Sequence, residues 1–203
     1  HLIPNGVDTS HFCPAPRPPN PVKQVLYVGR LSREKNLSAL IAAAAKLDGR
    51  IGVRLVFIGQ GFLKASLEAQ ARIQRVDASF LGTVDHRLLP QYFRTADAFV
   101  LPSLTEGHPK VLLEAMSCGV PCLASARGGN LAIVANGKTG LLFDPEDAGA
   151  LAECLERVLT QEELARSLAE GGRAAVVARY DLGVLVKREI DLLKRVVQGG
   201  CLA

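Results

Sequence analysis

Short runs, most of them uniformly apolar, recur along this chain, each followed by a stretch in which apolar residues return every three to four positions. The runs cover 25–28, 53–58, 78–81, 98–101, 121–124 and 140–143, and the first four close on Gly29, Gly59, Gly82 and Pro102. Strands buried on both faces read this way. The intervening spacing predicts helices over 36–47, 62–73, 85–95, 109–118 and 130–135. Three more helices, over 148–159, 162–177 and 182–197, complete the pattern. Asn36 and Asp85 are candidate caps, and Pro109 is a candidate first helical residue. Alternating strands and helices imply an α/β fold: a doubly wound, mostly parallel sheet with helices on both faces. Such sheets bind ligands beyond the carboxyl ends of their strands, so chemistry is sought in the loops that follow the strands.

Three parts are expected: a lead-in loop with a Pro-rich linker over 1–21, a Rossmann-like core over 22–180, and a C-terminal helix over 181–203. With 203 residues, 48% of them apolar, the chain can build a core without metals or disulfides. Its 24 basic and 20 acidic residues are interspersed, which leaves no like-charge run for nucleic acid. Five cysteines, an odd number with no CxxC pair, argue against a disulfide framework and for a reducing compartment; Cys118 and Cys122, four apart, read as small buried apolar residues rather than metal ligands. No apolar stretch approaches the roughly 20 residues that span a bilayer. The chain begins at His1 in mid-motif, so an N-terminal portion is expected to precede it.

Two loops carry candidate chemistry. Gly29-Arg30-Leu31-Ser32-Arg33-Glu34-Lys35-Asn36 sets Arg30 and Lys35 between a strand end and a helix start. Two cations there suit a diphosphate, because a helix N-terminus adds free amides and partial positive charge. The alternative is a pair of solvated loop charges. The second loop holds Glu106, Gly107, His108 and Pro109, and runs into a helix carrying Lys110, Val111 and Glu114. Two carboxylates on loop and helix wall can accept from hydroxyls at two points of one elongated ligand, with the Lys110 and Val111 amides between them. Plainer readings are an i,i+4 pair for Glu114 with Lys110, a helix-dipole contact for Glu106, and a packed loop histidine for His108. Neither a P-loop nor a GxGxxG fingerprint is present.

Four blocks in register extend the picture: residues 1–8 (HLIPNGVD), 29–36 (GRLSREKN), 106–121 (EGHPKVLLEAMSCGVP) and 140–145 (GLLFDP). With them the chain resembles the carboxyl-terminal domain of family 4 (group 1) retaining glycosyltransferases, which have the GT-B fold. The resemblance covers nearly the whole chain. It implies that Arg30, Lys35 and Glu106 are catalytic, the cations holding the diphosphate and Glu106 facing the donor sugar. It implies that Glu114 accepts from ribose hydroxyls and that Gly29 and Gly107 to Val111 line the sugar and phosphates. Leu81, Gly82 and Val84 would frame the base. The partner so implied is a UDP-, GDP- or ADP-linked sugar, with no cofactor, no metal and no nucleic acid.

The same resemblance implies a retaining hexosyltransferase whose acceptor, a glycan or lipid, is held by an absent N-terminal domain. The final helix would cross to that domain, and the isolated chain would be inactive. A cytoplasmic location is implied, the inner face of the membrane included. The alternative is a non-catalytic nucleotide-binding module of the same lineage. Two departures stand out: His108-Pro109 replaces the frequent Phe-Gly, and Asn130-Leu131-Ala132 follows Gly128-Gly129 where Pro-Glu is common.

Overall fold

The computed structural model describes residues 3–16, 21–47, 51–147 and 149–197. Six strands form one sheet: β1 (Lys23–Val28), β2 (Val53–Ile58), β3 (Asp77–Phe80), β4 (Ala98–Leu101), β5 (Cys122–Ser125) and β6 (Leu141–Phe143). Their order is β3-β2-β1-β4-β5-β6, and every pairing is parallel. The all-parallel sheet follows from the connections, since parallel neighbours need a crossover, and here helices supply it. The crossovers are α1 (Leu37–Ala45), α2 (Lys64–Ile73), α3 (Leu89–Thr95), α4 (Lys110–Ser117) and α5 (Asn130–Ile133). After β6 come α6 (Ala150–Thr160), α7 (Glu162–Tyr180) and α8 (Leu182–Val197).

Helix α1 packs between α2 and α6, and α4 packs between α3 and α7. This covers β4 and β5 so fully that each of their residues is buried. The uniform hydrophobicity of those strands is therefore the imprint of two covered faces. Strand order reverses between β1 and β4, which opens the crevice expected of doubly wound sheets at their carboxyl ends. The two loops singled out above leave these two strands.

Three element starts differ from the sequence reading. Asn36 lies in the left-handed region (φ 52°), and its side chain makes no cap hydrogen bond. A 3-10 turn over Arg33–Lys35 takes up the preceding residues instead. Asp85 does cap, accepting from the Arg87 amide, but it caps a 3-10 turn over His86–Leu88 that leads into α3. Pro109 is the extended residue before α4 (ψ 104°), so the helix begins at Lys110. The lead-in segment also enters the core through fully buried Val7 and Phe12. Cys118, Cys122 and Cys154 are buried and free, Cys13 is free and half-buried, and Cys201 lies outside the described residues.

Candidate functional site

The crevice begins where β1 ends. Gly29 has φ +154°, and a Cβ there would stand 2.6 Å from the Tyr27 hydroxyl. That hydroxyl donates to the Arg30 carbonyl at 2.8 Å. Burial, reinforced by the carboxylates of Glu106 and Glu34, pushes the phenol pKa far up, so Tyr27 stays a donor. The Arg30 backbone is thereby fixed while its side chain remains 81% exposed, reaching Glu34 only at 4.0 Å.

The 3-10 turn carries Lys35 inward, and the Leu104 amide donates to the Glu34 carbonyl at 2.8 Å. This bond ties the loop after β1 to the loop after β4. Lys35 Nζ then donates to Glu106 Oε1 at 2.6 Å, with the two side chains 17% and 11% exposed. Beneath Glu106 the chain is as tight as backbone permits. The Gly129 amide donates to the Glu106 carbonyl at 2.8 Å, and a Cβ on Gly129 would fall 1.6 Å from the Gly107 carbonyl oxygen.

On α4, Glu114 is only 3% exposed. Its Oε1 lies 2.8 Å from His86 Nε2 and 3.9 Å from Lys110 Nζ. The first turn of α4 leaves the Lys110 and Val111 amides without helical acceptors, and both residues line the crevice. Its volume is about 480 Å³. An elongated anion with a hydroxyl-bearing end matches these groups: the exposed Arg30, the paired Lys35 and free amides at one part, a desolvated carboxylate at another.

The family model described as "Glycosyl transferases group 1" matches residues 14–175. The chain belongs to this family. The glycogen synthase of Mycobacterium tuberculosis (strain CDC 1551 / Oshkosh) is 36% identical over 184 residues, covering 89% of this chain and 44% of that protein. The 2-deoxystreptamine N-acetyl-D-glucosaminyltransferase of Niallia circulans is 31% identical over 161 residues, covering 78% and 41%. Among solved structures, the sucrose-phosphate synthase of Thermosynechococcus elongatus superposes with a TM-score of 0.88 at 31% identity, over 98% of this chain and 53% of that one. The Anabaena protein HepE, in complex with UDP and glucose, shares the fold (TM-score 0.84, 22% identity, 96% and 56% covered). The chain thus spans less than half the length of these curated relatives.

Within this group 1 domain the sequence-derived residues divide in two. Gly29, Arg30, Lys35, Glu106, Pro109, Lys110, Val111 and Glu114 all line the crevice. Gly107, His108, Leu81, Gly82 and Val84 do not. His108 turns away, its ring tilted against Tyr180 and its carbonyl accepting from Asn5 Nδ2. Burial lowers its pKa and so favours the neutral imidazole. The 81–84 segment follows edge strand β3, and its backbone is bound to the end of β2, at Phe57 and Gly59. What reaches the crevice from that side is His86, one turn later. Sequence reasoning passed over His86 and Tyr27. A histidine just behind the Asp85 cap was the available signal for the first; nothing local marked the second. Among the described residues, no group of three or more His, Cys, Asp or Glu is disposed to hold a metal, and no helix is long and apolar enough to cross a membrane.

Proposed function

We propose that the crevice binds a nucleoside diphosphate sugar, linked to UDP, GDP or ADP, and that the chain is the donor-binding part of a retaining hexosyltransferase. The observation that carries this reading is the Lys35–Glu106 contact at the strand-order switch, within one crevice with Arg30 and the buried Glu114. Breaking the anomeric C–O bond leaves its electron pair on a diphosphate oxygen. Negative charge grows there while positive charge grows on the sugar. Arg30 is free to fork onto two oxygens, Lys35 adds a point charge, and the α4 amides add oriented dipoles. These groups supply the charge that a divalent ion would otherwise bring, so the reading needs no metal. Glu106 holds the sugar and its developing charge. The acceptor hydroxyl enters on the face the diphosphate leaves and gives its proton to the departing diphosphate oxygen as the new C–O bond forms, which retains configuration. Glu114 takes the ribose hydroxyls; Gly107 and His108 border the sugar through their backbone only, the His108 ring being turned to Tyr180, and Leu81, Gly82 and Val84 lie toward the base from outside the crevice.

The acceptor, a glycan or lipid, belongs in this reading to a further domain, in keeping with the short span relative to the relatives. Helix α8 exposes Leu182, Val186, Ile190 and Leu193, a repeat that returns to one helix face and suits docking on that domain. The isolated chain then binds donor and transfers nothing. A cytoplasmic place of work, the inner membrane face included, goes with the same reading.

Calorimetric titration with UDP, GDP and ADP tests it. One diphosphate is expected to bind, and Arg30→Ala and Glu114→Ala each to weaken it by about 10- to 100-fold, the value of a hydrogen bond to a charged group. If no diphosphate binds at millimolar concentration, or if binding ignores both substitutions, the reading fails.

A further inference from the structure

We infer that His86 is a positioning residue: it fixes the Glu114 carboxylate so that one oxygen faces a ribose diol, and thereby sets preference for ribonucleotide over deoxyribonucleotide donors. The inference rests on the donor reading above and goes beyond it in assigning the selectivity to a residue from a different element.

The argument starts from the cost of Glu114. A carboxylate that is 3% exposed must be held by partners or give up its charge. Its close partner is His86 Nε2 at 2.8 Å, and Lys110 stands farther off at 3.9 Å. An ionised carboxylate only accepts, so His86 Nε2 carries the proton and donates. Both contacts fall on Oε1, which leaves Oε2 as the oxygen for a ligand. Without His86, the ion-pair partner that remains to the carboxylate among the described residues is the half-exposed Lys110, on its own helix.

His86 in turn is held independently of Glu114. Its ring packs against Phe12 at 5.2 Å, and Phe12 is itself buried against Phe93. The 3-10 turn that carries it is closed by Asp85, which accepts from the Arg87 amide at 2.9 Å and pairs with the Arg87 guanidinium. The imidazole is nonetheless 54% exposed and lines the crevice, so it stands at the ligand's edge and not in the core. A rigid donor on a separate element is the arrangement that holds a ligand-binding carboxylate in one geometry. A site whose buried acceptor waits for a ribose hydroxyl rejects the analogue lacking it, because that acceptor would be left unpaired.

The test uses whichever of UDP, GDP and ADP binds, together with its 2′-deoxy counterpart, titrated into the chain and into His86→Ala and His86→Gln. The native chain is expected to prefer the ribose form by about tenfold or more. His86→Ala should lose about tenfold on the ribose form and under about twofold on the deoxy form, so that the ratio collapses. His86→Gln, which keeps an N–H donor near the same reach, should restore part of the ratio. General loosening of the crevice would weaken both forms alike and overturn the assignment, as would a ratio that survives His86→Ala. A native chain that binds both forms equally removes the ribose role of Glu114 and overturns the inference, while the donor reading stands so long as a diphosphate binds and Arg30→Ala weakens it.

Discussion

Gly129 and Gly107 sit on facing loops, yet they answer to different constraints. A methyl group on Gly129 would meet the Gly107 carbonyl oxygen at 1.6 Å and the His108 Cα at 3.2 Å, all of it backbone that cannot swing aside. A methyl group on Gly107 would meet nothing within 4 Å. Gly129→Ala should therefore push the Glu106 loop out of place, at about 1–3 kcal/mol, which lowers the melting temperature by roughly 2–10 °C and weakens nucleotide binding too. Gly107→Ala should melt within about 1 °C of the native chain, being a surface change without a clash. Any loss of nucleotide affinity in Gly107→Ala then reports a ligand beside that loop. Equal melting temperatures for the two variants would refute the packing argument. The same pair shows what one-residue reading can reach. Lys35, Glu106 and Glu114 were legible through the four blocks of the resemblance, because each taken singly reads equally as a solvated loop charge, a helix-dipole contact or an i,i+4 pair. His86 and Tyr27 were not, because their importance lies in a hydrogen bond across 28 residues and a hydroxyl turned back on its own strand end.

At the scale of elements, every predicted strand and helix is present, and the offsets fall at boundaries, the largest at a start: α3 begins at Leu89 and not at 85, while α7 runs on to Tyr180 past 177. Periodicity sees the buried face, which is long-range and strong, while a start depends on one residue's dihedral angles. Asn36 looked like a cap but took the left-handed region, so that a 3-10 turn could point Lys35 inward. The lead-in segment was read as loop, because a turn at Pro4-Asn5-Gly6 and five prolines over 14–21 hide two core residues, Val7 and Phe12. Its attachment is specific. The Val7 amide donates to the Tyr180 carbonyl, the Leu182 amide donates to the Val7 carbonyl, and Thr9 Oγ1 donates to Asp181 Oδ2 at 2.6 Å. The Thr9 hydroxyl, helped by the Val184 and Gly183 amides, holds the Asp181 carboxyl below the usual carboxylate range. A depressed pKa contributes stability that is full above the unfolded value, about 3.9, and is lost as pH falls through the lower folded value. Thr9→Val should accordingly melt lower than the native chain at pH 7, with the gap closing once the pH is below both values. A gap that stays constant with pH would exclude this strap as the acid-sensitive joint.

For the molecule as a whole, the sheet and its first seven helices close one core, but α8 does not finish on it. Leu185 is buried where α8 begins, and beyond it Val186, Ile190 and Leu193 face outward on a helix that also carries Lys187, Arg188, Lys194 and Arg195. A stripe of this kind on a soluble surface marks contact with something else. If the contact is with a further domain, the stripe adds little to the stability of the described chain. Val186→Gln, Ile190→Gln and Leu193→Gln together should then leave the melting temperature within about 2 °C, as exposed substitutions do. The native chain should bind a hydrophobic fluorescent dye and self-associate at tens of micromolar, by sedimentation, while the triple variant should do neither. A large drop in melting temperature would mean that the stripe is packed within this chain, and docking on a further domain would lose its basis. A native chain that is monomeric and dark to the dye would remove it equally, because the apolar face would then be too small to need a partner.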